Sequence, residues 1–462
     1  MTQPVTLPLW AFVLMILFAA VTFASHFLFP SVRWFFRRRA ERLVARLNER
    51  LQRPIEPFKL ARRHDMIQRI IYDPSITEAV VEHAREFDVP ENVAFETAER
   101  YAKEIVPSFS ATLYFTIGMR LAKWISRAMY RIRLGAFDRD ALESVDKDAT
   151  VVFVMNHRSN MDYVLVTYLV SRAGALSYAV GEWARIWPLS SLIKMLGAYF
   201  IRRRSRGQLY RKVLARYVQM ATDGGVTQAM FPEGGLSLTG AVGQPKLGLL
   251  NYIVSGNDPE KRDVVFVPVG LNYDRVLEDR FLVNADKTGV RKFRPPIMTM
   301  VGGVFRYIWL RVTRQMRGFG TASVGFGTPL SLREFRASQS DDELTEAVAA
   351  ELMERIRHVV PVLSAPLVAS VLLEREGPSQ ADVIASVSEK LSALRSKSMP
   401  RPRRDAEELV VDILKRFERR DLISRTGDAL APTQEGRAVL EYYARTIAHH
   451  FPEEGEISAF AK

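Results

Sequence analysis

The 462-residue chain contains no cysteine. That excludes disulfides, thiolate metal sites and a cysteine nucleophile. It also has no Lys, Arg, Asp or Glu between Leu7 and Phe29, a run of 23 residues in the sequence LPLWAFVLMILFAAVTFASHFLF. Such a run is long enough to cross a bilayer as a helix. No internal repeat and no long low-complexity segment interrupts the rest. Hydrophobic residues make up 48% and charged residues 25%, which excludes a largely disordered chain. Acids are outnumbered: 52 Asp and Glu against 65 Lys and Arg leave a formal charge of +13. A basic excess of that size suits a polyanionic partner, whether an anionic membrane, a phosphorylated substrate or nucleic acid.

The amino terminus favours the membrane. Arg33, Arg37, Arg38, Arg39, Arg42 and Arg46 follow the apolar run, and no charge precedes it. A cleaved signal peptide carries its positive charge first. The positive-inside rule therefore predicts a retained single span in the cell membrane, with everything after it on the cytoplasmic side.

Composition divides the chain into four: a transmembrane helix and flank over 1–33, a helical domain over 34–109, an α/β domain over 110–335, and a helical region over 336–462. In the second, Met66, Ile67, Ile70 and Ile71 recur at helical spacing. Within 110–134, Arg120, Lys123, Arg127 and Arg131 make one stripe on a helix, beside Leu121, Trp124 and Ile125. That pattern predicts a helix lying in the headgroup layer; an ordinary surface helix is the alternative. The runs TVVFVM (150–155), TQAMF (227–231), VVFVPVGL (264–271) and SVGFG (323–327) read as buried strands between helices, hence an α/β fold with a mixed sheet flanked by helices. The stretch Ile413–Phe451 has a winged-helix pattern, with a polar turn at Thr426–Asp428.

Four segments carry chemistry. In NHRSNMDY, His157 precedes Asp162 by five residues. A neutral imidazole can take a proton from a hydroxyl near neutral pH, and a carboxylate on its other nitrogen fixes the tautomer. Five residues on an ideal helix would part the two, so the pattern predicts a turn after the strand and a helix starting near Ser159 or Asn160. His83 and Asp88 share the spacing but lie in a polar helical stretch, which reads as a chance match. In GAYFIRRR, Arg202, Arg203 and Arg204 follow an apolar run, and guanidinium groups bind phosphate in a bidentate way; a solvated cluster is the alternative. In FPEGG, Glu233 stands at a strand end, with Gly234 and Gly235 allowing close approach to a ligand; a plain turn would read the same. In VVFVPVGLNY, Pro268 inside an apolar strand signals an edge or a bulge. Ligand sites in open α/β sheets form beyond the carboxyl ends of strands.

In this order the four segments resemble the blocks of the glycerol-phosphate acyltransferase superfamily: an H-x-x-x-x-D motif, an F-I-R-R motif, an E-G motif and a proline-containing apolar strand. NHRSNMDY, FIRRRSRGQLY, PKLGLL (245–250) and the tail YYARTIAHHF (442–451) look like its glycerol-3-phosphate and dihydroxyacetone-phosphate branch. The resemblance spans about residues 60–455. One departure stands out. The branch usually carries arginines in E-G-G-R-S-R-T-G, where this chain has EGGLSLTG, with Leu236 and Leu238. The resemblance implies acyl transfer from acyl-CoA or acyl carrier protein to the sn-1 hydroxyl of glycerol 3-phosphate, with dihydroxyacetone phosphate or lysophosphatidate as alternative acceptors. It implies His157 as general base and Asp162 as its partner. Arg202, Arg203, Arg158 and Lys246 would bind the acceptor phosphate, and Ser159, Glu233, Gly234, Gly235 and Pro268 would shape the acceptor site. No metal and no further cofactor is expected. The expected partners are the phosphorylated acceptor, the acyl donor and membrane lipid, without nucleic acid. A membrane-anchored winged-helix-like binding protein and an inactive scaffold are the rivals from other classes. The mixed, finally acidic tail speaks against the first, and the intact His157 and Asp162 against the second.

Overall fold

The computed structural model describes residues 8–170, 174–181, 189–202, 207–289, 318–396 and 399–451; for residues 20–37, 40, 189 and 341 it describes the backbone alone. Two compact units divide the chain, residues 1–55 and 56–462.

The first unit is built on one long helix, α1 (Leu9–Asn48). The expected boundary at residue 33 falls inside it. Among the described residues no single helix is long and apolar enough to cross a membrane; Leu9–Ala19 is the apolar part that is described, and most of the remaining expected span lies outside the described side chains.

The second unit opens with α2 (Arg63–Ile71), α3 (Pro74–Glu86) and α4 (Glu91–Ile105), whose buried Ile70, Ile71, Ile76, Ala94, Ala98 and Ala102 follow the helical spacing. These helices are not a domain apart. Their apolar faces join one core with the sheet strands described next. A π turn then leads into α5 (Met119–Met129), and β1 (Arg131–Phe137) follows at once. The expected stripe is therefore split. Arg120, Lys123 and Arg127 ride on α5 and Arg131 starts a strand, because RIRLGAF pairs in parallel with the distant strand Thr321–Phe326. Leu121 and Trp124 are exposed between the cations.

The rest alternates: β2 (Thr150–Met155), α6 (Met161–Val170), β3 (Ser177–Gly181), α7 (Leu189–Met195), β4 (Tyr199–Ile201), α8 (Gln208–Asp223), β5 (Gln228–Met230), α9 (Leu247–Val254), β6 (Val264–Tyr273), α10 (Asp279–Thr288), β7 (Thr321–Phe326) and β8 (Leu330–Ser331). The sheet order is β1-β7-β6-β2-β5-β3-β4, with β8 also on β6. Strands β2 to β6 run parallel, and β7 is antiparallel to β6. This is the expected mixed sheet flanked by helices. Successive side chains of β2 enter opposite cores: Val152 and Val154 pack with α2–α4 and α8, Val151, Phe153 and Met155 with α6 and the carboxyl-terminal helices. Continuous β-branched runs are what a sheet buried on both faces requires.

Pro268 corrects the edge-strand expectation. It sits in a central strand, level with Val154. On its other side β6 changes neighbour, pairing with β8 at Val265–Phe266 and with β7 from Val269 onward. The missing N–H falls in that gap, where only its carbonyl is used, by the Gly327 N–H at 2.8 Å.

The carboxyl-terminal region holds α11 (Leu344–Val359), α12 (Ser364–Glu374), α13 (Gln380–Ser396), α14 (Ala406–Arg419), a hairpin of β9 (Ile423–Thr426) and β10 (Ala429–Pro432), and α15 (Gln434–Arg445). It is thus not wholly helical: the polar turn at Thr426–Asp428 closes a two-stranded wing.

Candidate active site

The site grows from the end of β2. Asn156 is clamped to β6, its Nδ2 donating to the Leu271 carbonyl (3.0 Å) and its Oδ1 accepting from the Leu271 N–H (2.7 Å). The chain then leaves the sheet, and the Ser159 hydroxyl accepts from the Met161 N–H (3.2 Å) at the start of α6. This turn brings together what a continuous helix would separate: His157 Nδ1 lies 2.9 Å from Asp162 Oδ2. The same oxygen accepts from the Arg158 N–H (2.7 Å) and the Ser159 N–H (3.0 Å), and the Tyr273 hydroxyl donates to Oδ1 (2.6 Å). A carboxylate only accepts, so Nδ1 of a neutral His157 donates and Nε2 keeps its lone pair. Among the described residues Nε2 has no hydrogen-bond partner. The imidazole stacks on Phe231 (centroids 3.9 Å apart) and meets the edge of Tyr163 (5.5 Å), which holds its plane.

Phe231 and Glu233 follow β5, the parallel neighbour of β2. The buried Glu233 carboxylate accepts from the His157 N–H (3.0 Å) and the Gly243 N–H (3.1 Å). Burial pushes it above the ordinary carboxylate range, opposed by the Arg158 charge and those two N–H groups. Gly234 has φ +66, and a Cβ there would stand 2.8 Å from Lys246 Cδ. The glycine thus lets the exposed Lys246 side chain lie against this turn. Gly235 is buried beside it.

Arg158 is turned into the protein interior. It is wholly buried, and its Nη1 donates to the carbonyls of Gly240 and Ala241. Among the described residues its buried Nε and Nη2 find no hydrogen-bond partner. Its cation fastens the Glu233–Gly243 loop from within, because that loop's carbonyls are the nearest acceptors. The Ser159 hydroxyl also turns inward, donating to Glu278 (2.7 Å). Arg202, at the carboxyl end of β4, closes its fork on Glu104 (2.9 and 2.5 Å) and lies over Tyr101 and Tyr210. Arg203 and Arg204 lie outside the described residues. Pro268 stays within the sheet, level with Val154 and short of the strand end. Leu236 and Leu238, where the resemblance leads one to expect arginines, are half-buried against the core. His83 is in α3 against Phe87; no hydrogen bond joins it to Asp88, which ends that stretch with φ 51. A cavity of about 980 Å³ lies where β1, β7 and α14 meet, lined by Arg131, Arg133, Asp274, Arg404 and Asp412. Neither His157 nor Asp162 lines it.

Sequence reasoning missed Tyr273, Glu278, Asn156 and Phe231. Tyr273 and Phe231 lie inside or beside runs already singled out, but nothing in their spacing announces contact with Asp162 or His157. Glu278 is buried, pushed up by desolvation, and holds Ser159 and Asn160 across 119 and 118 positions of sequence.

Comparison with known proteins agrees with this geometry. An acyltransferase family model matches residues 137–272, and a model of the glycerol-3-phosphate acyltransferase C-terminal region matches residues 303–461. A curated glycerol-3-phosphate acyltransferase of Shewanella sp. (strain MR-4) is 30% identical over 359 residues, covering 72% of this chain and 43% of that protein. Those of Baumannia cicadellinicola and Alteromonas mediterranea are 26% and 28% identical, covering 86% and 87% of this chain and 51% and 52% of theirs. The chain thus spans about half the length of the curated relatives it matches. A solved 1-acyl-sn-glycerophosphate acyltransferase from Thermotoga maritima aligns with a TM-score of 0.30 at 19% identity, over 51% of this chain and 75% of that one, too low a score to carry an argument. With both family models in sequence order, the His157–Asp162 pair inside the first and a 30% identical relative covering 72% of this chain, the chain belongs to the glycerol-3-phosphate acyltransferase family.

Proposed function

We propose that this protein transfers an acyl chain from a thioester, on coenzyme A or acyl carrier protein, to the sn-1 hydroxyl of glycerol 3-phosphate, giving lysophosphatidate for phospholipid synthesis. The observation that carries the reading is the 2.9 Å His157–Asp162 contact, with Nε2 left open at the carboxyl edge of a parallel set of strands. Nε2 takes the acceptor hydroxyl proton as the oxygen attacks the thioester carbonyl. Asp162 holds the imidazolium that forms. The tetrahedral intermediate collapses, the carbon–sulfur bond breaks, and the thiolate leaves with the proton from His157. No acyl-enzyme is required, and the chain has no cysteine to form a thioester with. The chemistry needs neither a metal nor a prosthetic group.

Lys246 is the cation best placed for the acceptor phosphate: it is exposed, has no ion-pair partner among the described residues, and lies against Gly234 beside Glu233. Leu236 and Leu238 offer no charge there. Arg202 joins only by exchanging Glu104 for the phosphate. Glu233 and Arg158 shape the loop between them.

The protein acts at the cytoplasmic face of the cell membrane. The run Leu7–Phe29, with the Arg cluster after it, supports a span by the first half of α1, a helix of 40 residues. The exposed Leu121 and Trp124 among Arg120, Lys123 and Arg127 support a second, interfacial contact by α5. The winged carboxyl-terminal region does not suit nucleic acid, because α14 mixes Glu407, Glu408, Asp412 and Glu418 with its bases.

The test crosses purified protein with glycerol 3-phosphate, dihydroxyacetone phosphate and lysophosphatidate, and with acyl-CoA and acyl carrier protein as donors. Preferential acylation of glycerol 3-phosphate is expected. Preference for another acceptor overturns the assignment.

A further inference from the structure

The H-x-x-x-x-D turn does not hold its shape through its own hydrogen bonds alone. All three of its anchor points are gripped by one short segment, the end of β6 and the turn after it. Leu271 is bonded through both its N–H and its carbonyl to the side chain of Asn156, just before the motif (2.7 and 3.0 Å). Tyr273 donates to Asp162 Oδ1, at the far end of the motif (2.6 Å). Glu278 takes the middle, accepting from the Ser159 hydroxyl (2.7 Å), the Asn160 N–H (3.2 Å) and Asn160 Nδ2 (3.0 Å). Every one of these groups except Asn160 is buried, so water does not compete for them.

We propose that residues 271–278 form a cradle that sets the geometry of the catalytic turn, with Tyr273 and Glu278 as positioning residues for the His157–Asp162 pair. The inference rests on the proposed role of that pair. Asp162 can present either oxygen to His157 by rotation about its terminal bond. With Oδ1 held by Tyr273, Oδ2 is left to His157 Nδ1 and to the two backbone N–H groups beside it. The imidazole, Nδ1–H on this oxygen, is thereby kept in one orientation, with Nε2 as the base. Burial and the neighbouring Asp162 charge push the Tyr273 hydroxyl well above its usual range, which keeps it a donor. Glu278 works one step earlier. It fixes Ser159 and Asn160, whose backbone turns the chain between His157 and α6. Other charged groups facing the pair are Glu233, which accepts from the His157 backbone, and Arg158 within the turn itself.

The experiment uses the full chain in detergent and two readouts. The first is NMR of the His157 ring nitrogens without substrate, assigned by comparison with His157→Gln. The wild type should give the Nδ1–H tautomer with a single sharp Nδ1–H signal on the neutral ring, and Tyr273→Phe a shifted or broadened Nδ1–H signal as Asp162 exchanges its oxygens. The second is steady-state kinetics. Tyr273→Phe should lower kcat about tenfold or more, the range of one lost hydrogen bond to a charged group, with KM for both substrates unchanged. Glu278→Ala should also lower kcat, while Glu278→Gln restores most of it, because the Ser159 hydroxyl can reverse and accept from the new amide. A Tyr273→Phe protein with the wild-type Nδ1–H signal and kcat overturns the cradle, as does Glu278→Gln falling as far as Glu278→Ala. Thermal melting identifies a variant that has merely unfolded, and the ring-nitrogen spectrum of the folded fraction then decides. Failure of the acyl-transfer reading shows separately, as a His157→Ala protein that still acylates.

Discussion

Gly240→Ala should damage catalysis without removing any reacting group. Gly240 has φ +89, and a Cβ there would stand 2.0 Å from the Tyr442 carbonyl oxygen and 2.9 Å from its carbon. Both are backbone atoms of α15, so no side-chain rotation relieves the collision. An l-residue at such a φ costs about 1–2 kcal/mol, and overpacking a tight contact adds about 1–3 kcal/mol. The loop from Glu233 to Gly243 must therefore move off α15. Three contacts move with it: the Gly240 and Ala241 carbonyls that hold Arg158, the Ser237 N–H on the His157 carbonyl (2.9 Å), and Glu233 on the His157 N–H. Gly427 isolates the backbone cost, since it has φ +58 and a Cβ there meets nothing within 4 Å. Both alanine variants are to be compared by thermal melting and by kcat. Gly240→Ala should lose about 1–3 kcal/mol more stability than Gly427→Ala and most of its kcat, while Gly427→Ala keeps its kcat. Equal melting and equal kcat in the two variants would refute the argument that α15 buttresses the catalytic loop.

Other perturbations give separate readings. Arg202→Ala should raise KM for the phosphorylated acceptor about tenfold or more, the range of a charge-assisted hydrogen bond, and Glu104→Gln should lower it by freeing the guanidinium; a change in donor kinetics alone removes Arg202 from the acceptor site. Glu233→Gln can satisfy only one of the His157 and Gly243 N–H groups and should destabilise by about 1–3 kcal/mol. Burial raises the folded-state value of Glu233, so the stability this group contributes is present below the unfolded carboxyl range and lost as pH rises through the folded value. Melts from about pH 4 toward neutrality should therefore show the deficit of the Gln variant narrowing, and a widening deficit contradicts the sign. Removal of residues 1–31 should weaken membrane attachment but leave salt-sensitive binding to anionic vesicles through α5, at about 1 kcal/mol per cation, reduced again when Arg120, Lys123 and Arg127 become Gln. No vesicle binding at low salt makes α5 a plain surface helix.

The parts of the fold written in local pattern were legible. TVVFVM reads as a strand buried on both faces, and β2 is one, because β-branched runs have few other uses. The break after β2 was legible too, since five residues between His157 and Asp162 demand a turn. Long-range pairing was not. RIRLGAF follows a helical stretch whose cations keep helical spacing through Arg131, and only its register with β7, nearly two hundred residues on, makes it a strand. Pro268 was misread for the same reason: whether a strand is central depends on its neighbours, and the gap between β8 and β7 that spares its N–H is invisible in one chain segment. Charge was legible as composition and not as placement. Arg158 and Arg202 read as phosphate ligands, yet one is sealed behind the loop carbonyls and the other closed on Glu104. Nothing local to Glu278 marks it as the buried partner of Ser159.

The central claim is that His157, held by Asp162, is the base that activates a phosphorylated acceptor. The most direct measurement is the rate of acyl transfer to glycerol 3-phosphate by folded His157→Ala, beside wild type and His83→Ala. A positioned general base contributes about 10²–10⁴-fold, so His157→Ala should fall by that factor with unchanged melting, and His83→Ala should match wild type. A folded His157→Ala protein that turns over near the wild-type rate, or a comparable loss in His83→Ala, contradicts the account.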